Sequence, residues 1–77
     1  MNFRIPTWDE ARQFMKNIAL EFNARVEDLD ENQRISIPGK FELNFHPDDR
    51  GFAYMTCKIY DETVLSILER FFAPYTR

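Results

Sequence analysis

The sequence predicts a single α+β domain over residues 1–77: a helix, a three-stranded antiparallel meander and a second helix, both helices packed on one face of the sheet, with an extra N-terminal strand possible. Three observations carry that expectation. KFELNF (40–45) alternates apolar and polar residues with the period of two of a half-buried strand. HPDDRG (46–51) supplies a turn between that run and a second one, FAYMTCKIY (52–60). The flanking segments repeat apolar residues at three- and four-residue steps, behind residues suited to capping helices.

Taken in order, Asn2–Ile5 offers Phe3 and Ile5 to one face if it is extended, and Pro6 ends it. Thr7-Trp8-Asp9-Glu10 fits a capping box, with acidic residues suited to the positive end of the helix dipole. The first helix is expected from about Trp8 to Asn23. Its buried stripe is Ala11, Phe14, Met15, Ile18 and Phe22, with Ala19 beside it, and its polar side carries Arg12, Lys16, Asn17 and Glu21. RVEDLDENQ (25–33) reads as a polar connection in which Val26 and Leu29 tuck against the core edge.

Arg34–Ile37 alternates as a short strand, and Pro38-Gly39 signals a tight turn into the next one. The expected strands lie near 34–37, 40–46 and 52–59. Phe41, Leu43 and Phe45 should share the inner face with Ala53, Met55, Cys57 and Ile59. The outer face then holds Glu42, Asn44 and His46 beside Phe52, Tyr54 and Tyr60. Asp61 is the expected cap of a last helix over about Glu62–Phe72, and Pro74 stops it. Val64, Leu65, Ile67, Leu68, Phe71 and Phe72 spread beyond one stripe, so this helix should be covered on more than one side.

Composition narrows the function classes. The chain is 44% hydrophobic and 16% aromatic, enough apolar content to offset the entropy of ordering. A domain this short has a small core, which favours dimerisation or binding as a source of stability. The net charge of −3 argues against non-specific nucleic-acid binding and against an anionic membrane surface. One cysteine rules out an intramolecular disulfide framework and a multi-cysteine zinc site. No run resembles a signal peptide or approaches transmembrane length, so the expected location is cytoplasmic.

Candidate chemistry is sparse. Asp28-Leu29-Asp30-Glu31-Asn32 imitates the start of an EF-hand loop, but Gln33 stands at its sixth position and Gly39 at its twelfth, where glycine and glutamate belong. His46 with Asp48 and Asp49 could serve acid–base or metal chemistry, although turn chemistry alone would select the same residues. Cys57 as a nucleophile would need His46 beside it, and strand parity puts the two on opposite faces. No phosphate-cradling or hydrolase motif occurs. The reading is therefore non-enzymatic, with no cofactor and no metal.

The outer-face aromatics admit two readings: cover by the N-terminus or by flat-lying polar neighbours, or a partner surface. The expectation is a protein–protein interaction module (adaptor, inhibitor or chaperone-like) whose partner is a protein, most economically a second copy in a symmetric homodimer. The expected contact residues are Phe52, Tyr54, Leu65, Phe72 and Tyr75, with Trp8 a further member. The alternatives are single-stranded nucleic-acid binding on the open face, with Phe52 and Tyr54 stacking bases beside Arg34, Lys40 and Lys58, or a small phage-type regulator. The element order and acidity over about residues 8–72 resemble half of the small acidic secretion chaperones of bacterial type III systems. That resemblance rests on no motif and transfers no residue role.

Overall fold

The computed structural model describes residues 2–75. It contains two helices and a five-stranded antiparallel sheet. The elements are β1 (Asn2–Ile5), α1 (Trp8–Phe22), β2 (Val26–Asp28), β3 (Gln33–Ile37), β4 (Phe41–Pro47), β5 (Ala53–Ile59) and α2 (Glu62–Phe72), with a short 3-10 turn over Ala73–Tyr75. The strand order is β1-β5-β4-β3-β2, so the N-terminal strand forms one edge and β2 the other.

The local signals explain most boundaries. Thr7 caps α1, its hydroxyl oxygen accepting from the Glu10 backbone N–H at 3.1 Å. Asn23 closes the helix in the left-handed region at φ 50, a conformation that asparagine tolerates better than most residues. Gly39 at φ 77 follows Pro38, and the Lys40 N–H returns to the Ile37 carbonyl at 2.9 Å, which together make the turn between β3 and β4. Between β4 and β5, Gly51 at φ 96 donates to the Asp48 carbonyl at 2.9 Å, and the Asp48 carboxylate accepts from the Arg50 backbone N–H at 2.8 Å.

The sheet has five strands: the three of the expected meander, the N-terminal strand the sequence held possible, and one strand that was not expected. β1 pairs with β5, placing Phe3 opposite Met55 and Ile5 opposite Ala53. The stretch expected to be a polar connection contains β2, which pairs Val26 with Ile35 and Glu27 with Arg34. Three residues carry too little alternation to announce a strand; pairing with β3 makes it one. α1 therefore links the two edges of the sheet. The helix lies along the sheet rather than across it: Phe14 meets Phe45 and Phe22 meets Phe41, both of β4.

The buried residues form one cluster. Phe3, Ile5, Ile35, Phe41, Leu43, Phe45, Ala53, Met55 and Cys57 from the sheet meet Ala11, Phe14, Met15 and Ile18 of α1 and Val64, Leu68 and Phe72 of α2. Phe14 joins the layers. Its ring lies 6.0 Å from Phe45 of β4 and 6.0 Å from Phe72 of α2, and Phe72 lies 4.8 Å from Phe3 of β1. Both helices thus pack on the same side of the sheet, and the other side is left without a covering element among the described residues.

Asp61 couples the last hairpin to α2. Its carboxylate accepts from Lys40 Nζ at 2.8 Å, from the Thr63 hydroxyl at 2.7 Å and from the Thr63 N–H at 2.9 Å. The Lys40 ammonium first, and Thr63 after it, hold this carboxyl well below the usual aspartate range. A carboxyl depressed on folding stabilises the fold above its unfolded pKa and loses that contribution as pH falls through the folded value. Asp61→Asn should therefore flatten the acid limb of stability below about pH 4, read as urea midpoints from pH 7 to pH 2. Parallel acid limbs for the two proteins would show that the carboxylate makes no such contribution.

Candidate functional site

The six residues expected to form a contact surface do not converge. Phe72 is corrected outright. It is 1% exposed and packed between Phe3 and Phe14, so it offers nothing to a partner. The helix looked broader than its cover because β1, which supplies Phe3, was only a possibility in the sequence. Leu65 is half-buried on the same helix. Tyr75 is half-buried, edge-on to Phe14 at 5.5 Å, in a groove between the helices shared with Phe71 and Pro74. Burial, and after it the nearby Glu10 carboxylate, push the Tyr75 phenol up. Trp8 is half-buried at the far end of α1, beside Leu29, Pro47 and the acidic β2–β3 turn.

Phe52 and Tyr54 do lie toward the open face, at the same corner. The register aligns Arg4, Tyr54 and His46 across β1, β5 and β4. Tyr54 is 40% exposed. Phe52 is half-buried, and the guanidiniums of Arg4 and Arg50 each sit 4.9 Å from its ring centroid. Arg50 is also tied to Asp48 at 3.0 Å. Two guanidiniums of its own chain thus stand over the ring. Further along this face Asn32 donates to Asn44 at 2.9 Å, Asn44 donates to Glu42 at 3.0 Å, and Arg34 pairs with Glu27 at 3.3 Å.

The catalytic alternatives find little geometry. Cys57 is buried on the helix side of β5, opposite Leu43, and burial raises its thiol pKa. His46 sits on the other side, opposite Tyr54. Among the described residues no group of three or more His, Cys, Asp or Glu side chains gathers as a metal site. Asp28 belongs to β2, and the other EF-hand-like residues form the turn after it.

An apolar groove that was not expected lies elsewhere. A groove of about 390 Å³ runs between the C-terminal half of α1 and the β2 edge, with Met15, Ala19, Leu20, Ala24 and Val26 giving it apolar walls and Lys16 on its rim. Leu20 is 73% exposed, the most exposed large hydrophobic side chain among the described residues. A signal for it existed. Arg12, Lys16 and Leu20 recur at four-residue steps, so a leucine continues the polar stripe of α1. No helix among the described residues is long and apolar enough to cross a membrane. In comparisons with protein-family models, with curated proteins and with solved structures, nothing matches this chain.

Proposed function

We propose that this chain is a non-enzymatic protein-interaction module whose contact surface is the groove between α1 and β2, rather than the aromatic corner of the open face. The observation that carries the reading is Leu20: an aliphatic side chain left 73% exposed beside an apolar groove and an open strand edge. A single exposed leucine is ordinary; one that continues the wall of a concave apolar surface beside unpaired backbone is what a docking segment needs. The adaptor, inhibitor and chaperone-like roles all fit such a surface. A reducing, cytoplasmic setting belongs to the same reading and is supported by the burial of the single cysteine.

Single-stranded nucleic acid on the open face is the second reading, motivated by the Arg4–Tyr54–His46 row. It is weakened by the cover over Phe52, which removes one of its two stacking rings. One experiment separates the two. Tagged wild-type protein, Leu20→Glu and Tyr54→Ser are compared for captured proteins by quantitative mass spectrometry and for oligonucleotide binding by fluorescence anisotropy. The expected result is at least a tenfold loss of specific protein capture for Leu20→Glu alone, with no oligonucleotide binding by any form. Capture lost through Tyr54→Ser, or salt-sensitive oligonucleotide binding, would move the site to the open face.

A further inference from the structure

We propose that the groove and the β2 edge are filled by a second copy of this chain, the two β2 strands pairing antiparallel about a two-fold axis through Val26, so that the sheets join into one. The inference rests on the reading of the α1–β2 groove as the contact surface and names its occupant.

The backbone gives the first argument. The Leu29 N–H donates to the Asn32 carbonyl at 2.9 Å, which fixes the phase of the β2–β3 ladder. Hydrogen-bonded pairs alternate along an antiparallel ladder, so Glu27 is the bonded partner of Arg34. The N–H and C=O of Val26 and Asp28 then point at the open edge. An axis through Val26 brings its N–H and C=O against the same groups of the other copy, forming a reciprocal pair of hydrogen bonds.

Charge gives the second. Arg25 lies on the N-terminal side of the strand and has no ion-pair partner among the described residues, whereas Glu27, Asp28, Asp30 and Glu31 lie on or beyond it. An antiparallel two-fold arrangement superposes the basic end of one copy on the acidic end of the other. With Val26 on the axis, Arg25 stands opposite Glu27 of the second copy, and Glu27 keeps its own Arg34 at 3.3 Å. An axis through Glu27 or Asp28 would instead oppose like carboxylates. The third argument is apolar. Val26 lines the groove, so the axis also joins the two grooves and places each Leu20 beside the junction. The opposite edge, β1, is followed at once by Pro6, which cannot donate to an added strand.

The test uses solution mass and charge reversal on the full chain. Light scattering coupled to size exclusion, over a concentration series, should give twice the 9.3 kDa chain mass for the wild type. Arg25→Glu and Glu27→Lys each place like charges across the axis and should each weaken self-association at least tenfold. Their equimolar mixture restores both opposite-charge pairs and should return to dimer. Arg25 is exposed and in no ion pair among the described residues, so Arg25→Glu should keep the wild-type circular dichroism spectrum. A wild type that stays monomeric at the highest concentration, or a dimer indifferent to both reversals, would overturn the pairing. Monomeric protein that still captures another protein through Leu20 would overturn this inference while leaving the interaction module intact.

Discussion

Phe72→Ala is expected to cost about 3–5 kcal/mol of folding stability, the range for truncating a fully buried phenylalanine. The ring is 1% exposed and joins β1 and α1 through Phe3 and Phe14. Phe14→Ala should cost as much, since Phe14 meets Phe45, Phe71, Phe72 and Tyr75 at once. A domain of this length has a total stability of roughly 4–12 kcal/mol, so either change removes a large share of it and, at the lower end of that range, unfolds the chain. Urea unfolding followed by circular dichroism measures the loss. Tyr54→Ser, on the surface, should stay within about 0.5 kcal/mol of the wild type. A Phe72→Ala midpoint close to that of Tyr54→Ser would place the ring outside the core. Since Phe72 truncation acts through folding, it cannot serve as a surface control in any binding experiment.

The second large effect concerns the N-terminal strand. Removing residues 1–5 takes away Phe3 and Ile5, which are 6% and 0% exposed. At roughly 1.5–3 kcal/mol for each buried side chain, the loss rivals the whole stability of the domain. It also uncovers β5 along four paired positions and strips one side of Phe72. The truncated chain should show collapsed amide dispersion in its nitrogen–proton correlation spectrum, or remain insoluble. A well-dispersed spectrum retaining the β5 resonances would mean that β4 and α2 hold β5 in place without its edge partner.

What the residues announced and what they withheld divide along a physical line. α1, α2 and the β4–β5 hairpin were legible because their information is local: caps at Thr7 and Asp61, period-two alternation from Phe41 to Phe45, and a turn that needs Gly51. β2 was not legible because Val26-Glu27-Asp28 is a strand only by virtue of Ile35 and Arg34 beside it. β1 could be suspected from Phe3 and Ile5, but nothing near them indicates β5 as their partner. The contact surface suffered from the same gap. Phe72 looked surplus while β1 was uncertain. Leu20 stood within a stripe of charged neighbours, where hydrophobic periodicity does not search. Strand parity does put Tyr54 on the open face, but the approach of Arg4 and Arg50 to Phe52 depends on the distance between three segments.

The union of β1 with β5 governs how the chain reaches its fold. The strands from β2 to β5 are joined by short turns, so each pairing can form as soon as its hairpin is synthesised. Phe3 must wait for Met55, closing a loop of about 50 residues before any contact offsets the entropy of closure. During synthesis β1 would therefore be made before the other four strands and placed after them. Until β5 emerges, Phe3 and Ile5 would lack their partner strand, and the nascent chain would present them to whatever chaperone binds early.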